Sequence, residues 1–463
     1  KFKSVNNLIM QAEAAESPIT ENNICFNAHF GYEVLQGDKR LTIPLIRKEH
    51  TLQKCSWNEA FKLIAEKLPE FGINSAIFSN GNFTNEELYL INQIAEKYKI
   101  QKKYSWELNG SIIHEKLGIN YSPNPTSDLL STDLIVLVGD IPHTLGIKII
   151  QAVRRGKKLL VISPDENKFS RIADYYIKSD NYLEIFNQFA KYFLEYRYHN
   201  VSYIADCVEN FVEYNHELQR SVHKNEYYKF AKLIVKVEKA IFVYSETALD
   251  INTQSSILNL SILKGDIGEE GSGIITCSEL ANKPTLQYYG FVPSSIKHQV
   301  SSIKSALIFG EDPLYDNKLE TYNWLNGLDF LLVADNYLTE TAKMANVVLP
   351  ISTFAETNGR FVNNNNVFQT VNKVISSPGG KENWEIFAKI LDYQMNFENL
   401  VREANKDNSN VLNKESRFAI AESGRKVSLQ FDNKKAVSKA SINYNNCRRK
   451  IDELKKANVK GKR

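Results

Sequence analysis

The stretch DFLLVADNYLTETAKMANVVLPISTFAETNGRFVNNNNVFQ, Asp329–Gln369, decides the fold. Phe330–Val333 is an apolar run of strand length, and Ala334–Asn336 reads as a turn. Thr339 with Glu340 opens a short helix, and Val347–Leu349 is a second apolar strand stopped by Pro350. Central strands of a parallel sheet are apolar on both faces, so they appear as continuous runs and not as alternation. The expectation is therefore an open α/β sheet, with any ligand bound by the loops that follow its strands.

Working outward, the same logic recurs twice. Leu134–Val138 is an apolar run ending in Gly139-Asp140-Ile141-Pro142, and Ala306–Phe309 is one ending in Gly310-Glu311-Asp312-Pro313. In each, Gly allows a tight turn, the acid can accept from a hydroxyl or a guanine-type N–H, and Pro stops the strand. A helix-length segment and another buried strand follow: Lys158–Ile162 into Ser163-Pro164-Asp165, and Phe330–Val333 into Ala334-Asp335-Asn336. Two matching doubly wound α/β halves with two related nucleotide-shaped sites are the result. Their candidate residues are Gly139, Asp140, Pro142, Asp165, Gly310, Asp312 and, in the last loop, Gly359. A bare Gly-x-x-Pro is also what a plain strand-ending turn looks like, and that reading stays open. The Asp165-Glu166 loop, with two acids and no Arg, would repel a pyrophosphate.

Composition sets the outer bounds. With 463 residues and 43% hydrophobic content the chain can bury a large core. No run of eighteen apolar residues occurs and there is no signal-peptide pattern, while the start at Lys1 without Met points to a fragment or processed product. Five cysteines at 25, 55, 207, 277 and 447 show no disulfide-style clustering and fit a reducing compartment. The net charge of +3 hides an asymmetry, because residues 401–463 hold 17 Lys and Arg against 7 Asp and Glu. No aromatic residue is interleaved with charge after Tyr444, so a solvated or partner-docking tail is favoured over a nucleic-acid contact. Ser56 with Glu59 reads as a capping box opening a helix whose stripe is Ala60, Phe61, Ile64, Ala65 and Leu68. The aromatic stripe Tyr182, Ile185, Phe186, Phe189 and Phe193 reads as core.

Further passages are Cys25–Arg47 (CFNAHFGYEVLQGDKRLTIPLIR), Cys55–Ile64 (CSWNEAFKLI), Phe83–Tyr89 (FTNEELY) and Leu260–Gly273 (LSILKGDIGEEGSG). Together with the loops above they resemble, in order and over roughly residues 20–390, the molybdopterin oxidoreductase superfamily. That group includes formate dehydrogenase and the large iron–sulfur subunit of respiratory complex I. The resemblance implies a small β-rich part at 1–50 ending an iron–sulfur domain and a first α/β half with a helical insertion at 51–235. A second half at 236–395 and a basic polar tail at 396–463 complete the expected organisation. It also implies that Cys25 is the last thiolate of a 4Fe-4S cluster whose other ligands lie upstream of Lys1, since such a cluster needs four. Asn27 stands where catalytic members carry a bridging Lys. Their metal-ligating Cys or selenocysteine and its following His fall near Asn109 and Gly110, and no Cys occurs between 55 and 207. Glu107 and Ser111 are the nearby oxygen donors, and His114 reads as a helical surface residue.

With these positions changed, the pterin loops read as vestigial and a molybdopterin guanine dinucleotide is not expected to bind. The expectation is a non-catalytic scaffold similar to the large iron–sulfur subunit of an NADH-quinone oxidoreductase, passing electrons through iron–sulfur clusters. It would be cytoplasmic and peripheral to the inner membrane, partnered by the other subunits of a respiratory complex, with no membrane insertion and no nucleic acid. The alternative is a molybdenum or tungsten bis-pterin formate dehydrogenase-like catalytic subunit with an unusual ligand near Asn109 or Glu107. A third reading is a nucleotide-binding module in the Gly139 and Gly310 loops without redox chemistry.

Overall fold

The capping box at Ser56 forms. The Ser56 hydroxyl accepts from the Glu59 N–H at 3.2 Å while the Glu59 carboxylate accepts from the Ser56 N–H at 2.8 Å. The helix Trp57–Phe71 that follows buries Ala60, Phe61, Ile64 and Leu68, whereas Ala65 faces outward. Thr84 and Glu87 make a second box that starts the helix Asn85–Lys97. These are local signals, and the chain obeys them where it is read from neighbouring residues alone.

The computed structural model describes residues 1–16, 22–222, 224–294, 302–315, 318–408 and 417–432. It divides into unit 1, Lys1–Leu108 with Leu280–Lys414, and unit 2, Asn109–Glu279 with Glu415–Arg463. The chain begins in unit 1 with the antiparallel hairpin β1 (Phe2–Val5) and β2 (Leu8–Ala12), followed by a second hairpin, β3 (Leu45–Lys48) and β4 (Thr51–Lys54). Then come β5 (Ser75–Ser79) and β6 (Lys102–Ser105). In unit 2 it lays down β7 (Leu134–Val138), β8 (Lys158–Ser163), β9 (Tyr175–Lys178), β10 (Ala240–Ser245) and β11 (Gly273–Cys277). It re-enters unit 1 for β12 (Val292–Pro293), β13 (Ser305–Phe309), β14 (Phe330–Asp335) and β15 (Val347–Pro350). The hairpin β16 (Gly359–Val362) and β17 (Phe368–Val371) closes the strand list.

Unit 2 carries a sheet of order β11-β10-β7-β8-β9, parallel throughout. Counted from β7 this is 5-4-1-2-3, the doubly wound order, and strand order reverses between β7 and β10. Unit 1 carries the order β12-β6-β5-β13-β14-β15-β3-β4, parallel as far as β15, with β3 and β4 antiparallel at one edge. Its order reverses between β5 and β13. The expected α/β class with parallel sheets and a small β-rich N-terminal part is what the chain forms.

Successive strand residues face opposite sides, and both sides are covered. In unit 1, Ile77, Leu307, Leu332 and Leu349 pack with Ile64, Leu88, Ile91 and Phe387, while Phe78, Ile308 and Val333 pack with Trp324 and Ala342. In unit 2, Val136, Leu160 and Phe242 pack with Phe186, Phe189 and Ile257, and Leu137, Val161 and Val243 pack with Leu145 and Ile149. The aromatic stripe is core. Each such side chain contributes about 1.5–3 kcal/mol, which fixes the strand ends from which the functional loops leave.

The sequence-order halves do not each own a sheet. β5 and β6 lie with β13–β15, and β10 and β11 lie with β7–β9. A strand that is apolar on both faces accepts any parallel neighbour, so periodicity does not name its partner. A boundary at residue 50 cuts the β3–β4 hairpin. The stretch read as a solvated tail is ordered in two places. Phe397–Asn408 is a helix that buries Leu400 and Ala404 in unit 1. Residues 417–432 belong to unit 2, where Ile420, Val427 and Leu429 are buried and Arg417 pairs with the buried Asp128. Single apolar residues among charges escape an average over the segment. Residues 409–416 and 433–463 of that tail lie outside the described residues. Among the described residues, no helix is long and apolar enough to cross a membrane.

Candidate functional site

In an open α/β sheet the ligand crevice opens at the carboxyl ends of the strands where their order reverses. In unit 2 that point lies after β7 and β10. Gly139 turns the chain out of β7 with φ +68°, a conformation that side chains other than Gly rarely adopt. The Tyr182 hydroxyl lies beside it, and burial, with Asp140 and Asp180 behind it, pushes that phenol far above its ordinary range. After Pro142 the helix His143–Arg154 begins with no side-chain cap and no acid in its first turn. Its leading N–H groups therefore have no intrahelical carbonyl and carry the positive end of the helix dipole. Asp140 and Asp165 are exposed, the latter after the neighbouring strand β8, where the Ser163 hydroxyl donates to the Asp165 carbonyl at 2.9 Å.

At the end of β10, Ser245 and Thr247 share a hydroxyl–hydroxyl hydrogen bond at 2.7 Å, and Glu246 is buried, accepting from the Ser111 hydroxyl at 3.0 Å. Gln254 ties the loop at 110–112 to this end. Its amide nitrogen donates to the carbonyls of Gly110 at 3.1 Å and Leu249 at 3.0 Å, and its amide oxygen accepts from the Ile112 N–H at 3.2 Å. Neither Glu246 nor Gln254 stood out in the sequence. The available signal was a Gln inside a helix, Ile251–Lys264, that is buried on nearly every side. His114, expected on a helix surface, sits in the π-helical turn Ile113–Leu117 with Nδ1 buried and unpaired. π-Turns are rare and recur at functional sites.

Unit 1 treats its matching loop differently. Gly310 turns out of β13 with φ +70°, and the Asn80 amide donates to its carbonyl. Asp312 is occupied by Thr341, accepting from its N–H at 3.1 Å and its hydroxyl at 2.6 Å. Glu311, in the quoted loop but left out of the candidate residues in favour of Asp312, is 1% exposed. Its Oε1 accepts from the Ser105 hydroxyl at 2.6 Å, the Trp106 N–H at 2.8 Å and the Glu107 N–H at 3.3 Å, while Oε2 is buried without a partner. Those donors favour the charged carboxylate, but burial outweighs them and, with the Glu107 charge, raises the group to about 8.

The last loop is likewise engaged by its own chain. A Cβ at Gly359 would lie 2.7 Å from the Thr84 and Glu86 side chains, so only Gly lets the strand approach the start of the helix Asn85–Lys97. Arg360 donates to Glu86 from its backbone N–H and its Nε, both at 2.9 Å, and Thr357 donates to Glu87 at 2.8 Å. Glu356 holds Arg40 at 2.9 and 2.8 Å. Gly310, Asp312 and Gly359 thus serve turns and internal packing, while Gly139, Asp140, Pro142 and Asp165 gather at the strand ends of unit 2. Cys25 is half-buried and its sulfur accepts from the Ala28 N–H at 3.4 Å, capping the turn Phe26–Phe30. Among the described residues no three His, Cys, Asp or Glu side chains group as metal ligands.

The sequence model of the molybdopterin oxidoreductase family matches residues 40–393. The chain is 24% identical to F420-dependent formate dehydrogenase subunit alpha of Methanocaldococcus jannaschii over 442 residues, covering 81% of this chain and 65% of that protein. It is 22% identical to formate dehydrogenase H of Escherichia coli over 476 residues, covering 85% of this chain and 66% of that protein. The chain thus spans about two thirds of the length of these relatives. Acetylene hydratase from Pelobacter acetylenicus shares the fold, with a TM-score of 0.71 over 93% of this chain and 74% of that one at 14% identity. These relatives overturn the expected assignment to the large iron–sulfur subunit of an NADH-quinone oxidoreductase, since the names they carry are formate dehydrogenases. That assignment rested on changed positions, Asn27 where catalytic members carry a Lys and no Cys between 55 and 207, which say what the chain lacks and not which branch of the family it belongs to.

Proposed function

The chain belongs to the molybdopterin oxidoreductase family, and on that premise we propose that it is part of a formate dehydrogenase-like oxidoreductase whose unit 2 holds the nucleotide end of a pterin cofactor. The carrying observation is the open reversal point of unit 2, with the Gly139 turn and the uncapped start of the helix His143–Arg154 side by side. The residues there fit a nucleotide. Unpaired N–H groups at a helix start receive a phosphate, and Gly139 lets backbone approach it closely. Asp165, one strand over, suits a ribose hydroxyl, which donates to a carboxylate; its charge, read from sequence as repelling a pyrophosphate, is then met by a donor. Unit 1 does not fit a second nucleotide, because Glu311 and Asp312 are turned inward onto their own chain.

A pterin-held molybdenum or tungsten supplies, when bound, the two-electron chemistry that takes formate to carbon dioxide and a proton. This chain's own part is positional. Gln254 and Glu246 fix the loop at 110–112, next to Asn109, near which the resemblance places the family's metal ligand. Asn109 offers only a neutral amide oxygen there, a weaker and harder donor than a thiolate.

The test is metal analysis by plasma mass spectrometry with pterin fluorescence after acid oxidation, on the natural full-length protein, alongside formate-dependent dye reduction. Molybdenum or tungsten with pterin is expected; protein carrying neither would sink the reading.

A further inference from the structure

We propose that the C-terminal strap of unit 2, residues 417–432, is a positioning element of the candidate site, and that Arg425 is the positioning residue through which it acts. The loop concerned runs from Gly110 to Gly118. Its near end is held by Gln254, on Gly110 and Ile112, and by Glu246, on Ser111. At its far end Arg425 Nη1 donates to the Leu117 carbonyl at 2.7 Å. That carbonyl belongs to the last residue of the π-turn Ile113–Leu117, and the last carbonyls of a helical turn have no partner within it. A guanidinium suits such a carbonyl because a charged donor makes the stronger hydrogen bond.

Three further features show that this contact is built into the fold. Gly118, which ends the turn with φ +68°, has the Arg425 guanidinium in the space where a Cβ would stand, so the absence of a side chain there admits it. The strap is also fastened on both sides of Arg425, which limits where the guanidinium can reach. Before it, the Phe418 N–H donates to the Pro123 carbonyl at 2.9 Å and Ile420 is fully buried. After it, the Val427 N–H donates to the Cys207 carbonyl at 2.8 Å, and Asn210 holds both the N–H and the carbonyl of Leu429, at 2.8 and 2.9 Å. The third feature is the strap's end. The Asp432 carboxylate accepts from the Asn252 amide at 2.8 Å, in the first turn of the helix Ile251–Lys264 that also carries Gln254. One segment thus touches both holders of the loop, the far one directly and the near one through Asn252. With both ends held, the residues next to Asn109 keep one place, and displacing a positioned group by about 1 Å can cost about a hundredfold in rate.

The inference rests on the reading of unit 2 as the cofactor-holding site, and two readouts keep the failures apart. The natural full-length protein is compared with Arg425→Ala, Arg425→Lys, Gly118→Ala and the double variant Gly118→Ala/Arg425→Ala. Amide exchange is followed along the chain, and kcat and KM are measured for formate-dependent dye reduction. Arg425→Ala is expected to speed exchange at 111–118 at least about fivefold, the loss of one charge-assisted hydrogen bond, with the strands of unit 2 unchanged. On the same variant kcat should fall with KM for formate unmoved, and Arg425→Lys, which keeps one charged donor, should recover part of both. Gly118→Ala puts a methyl where the guanidinium lies, so it should open the same residues, and adding Arg425→Ala should open them no further. Exchange at 111–118 unchanged in folded Arg425→Ala, or additive effects in the double variant, overturns the proposal, as does faster exchange with kcat intact. A wild type without formate activity sinks the proposed function alone; exchange, read without cofactor or substrate, still decides whether the strap holds the loop.

Discussion

Glu87 and Glu311 each hold a proton more tightly in the fold than in the open chain, at about 7 and about 8 against an ordinary value of 4.5, with burial the first cause in both. A carboxyl group raised in this way contributes stability that is complete below about 4.5 and is lost as pH rises through the folded value. The melting temperature is therefore expected to fall between pH 5 and pH 8, and Glu311→Gln should flatten that slope. A slope unchanged in Glu311→Gln would assign the effect elsewhere. Arg40 and Glu356 are a different case, a bidentate pair with side chains 4% and 1% exposed. Glu356→Ala strands a buried guanidinium and is expected to cost about 3–5 kcal/mol in urea unfolding, while replacing both partners by apolar residues of similar volume should cost far less.

The loops that leave the strands are set by what the neighbouring elements donate. At β16, Gly359→Ala forces a methyl into the space of Thr84 and Glu86 and is expected to destabilise unit 1 by roughly 1–3 kcal/mol, as overpacking does. Chemical denaturation would show it, and a neutral result would mean the strand can move away from the helix Asn85–Lys97. In unit 2 the helix Ile251–Lys264 positions a loop through one side chain. Gln254→Ala leaves the Ile112 N–H and the Gly110 carbonyl without that partner, so faster amide exchange at 110–112 is expected and, on the proposed formate dehydrogenase-like function, slower formate oxidation with it. Loss of activity with exchange unchanged would separate Gln254 from the positioning role.

Across the whole molecule, the C-terminal stretch at 417–432 acts as part of unit 2. Deleting residues 417–463 removes Ile420, Val427 and Leu429 from its core, each worth about 1.5–3 kcal/mol, and breaks the Arg417–Asp128 pair. Amide exchange should rise in unit 2 and stay unchanged in unit 1; equal exchange in both would contradict this. The apolar runs at Leu134–Val138, Ala306–Phe309 and Phe330–Val333 determined the parallel sheets, and Ser56-Glu59 determined a helix start, because those signals lie within a few neighbouring residues. Gly139, Asp165 and Gly310 were legible as strand-end residues for the same reason. Three things were decided only by the tertiary structure. Strand partners were one, since β5 and β13 meet across more than two hundred residues. Another was the fate of the two Gly-acid-x-Pro loops, because Glu311 finds its donors on β6 and beyond while Asp140 stays exposed at its own turn. The role of Gln254 was the third. Each depends on which atoms stand within about 3 Å after folding, a distance that separation along the chain does not encode.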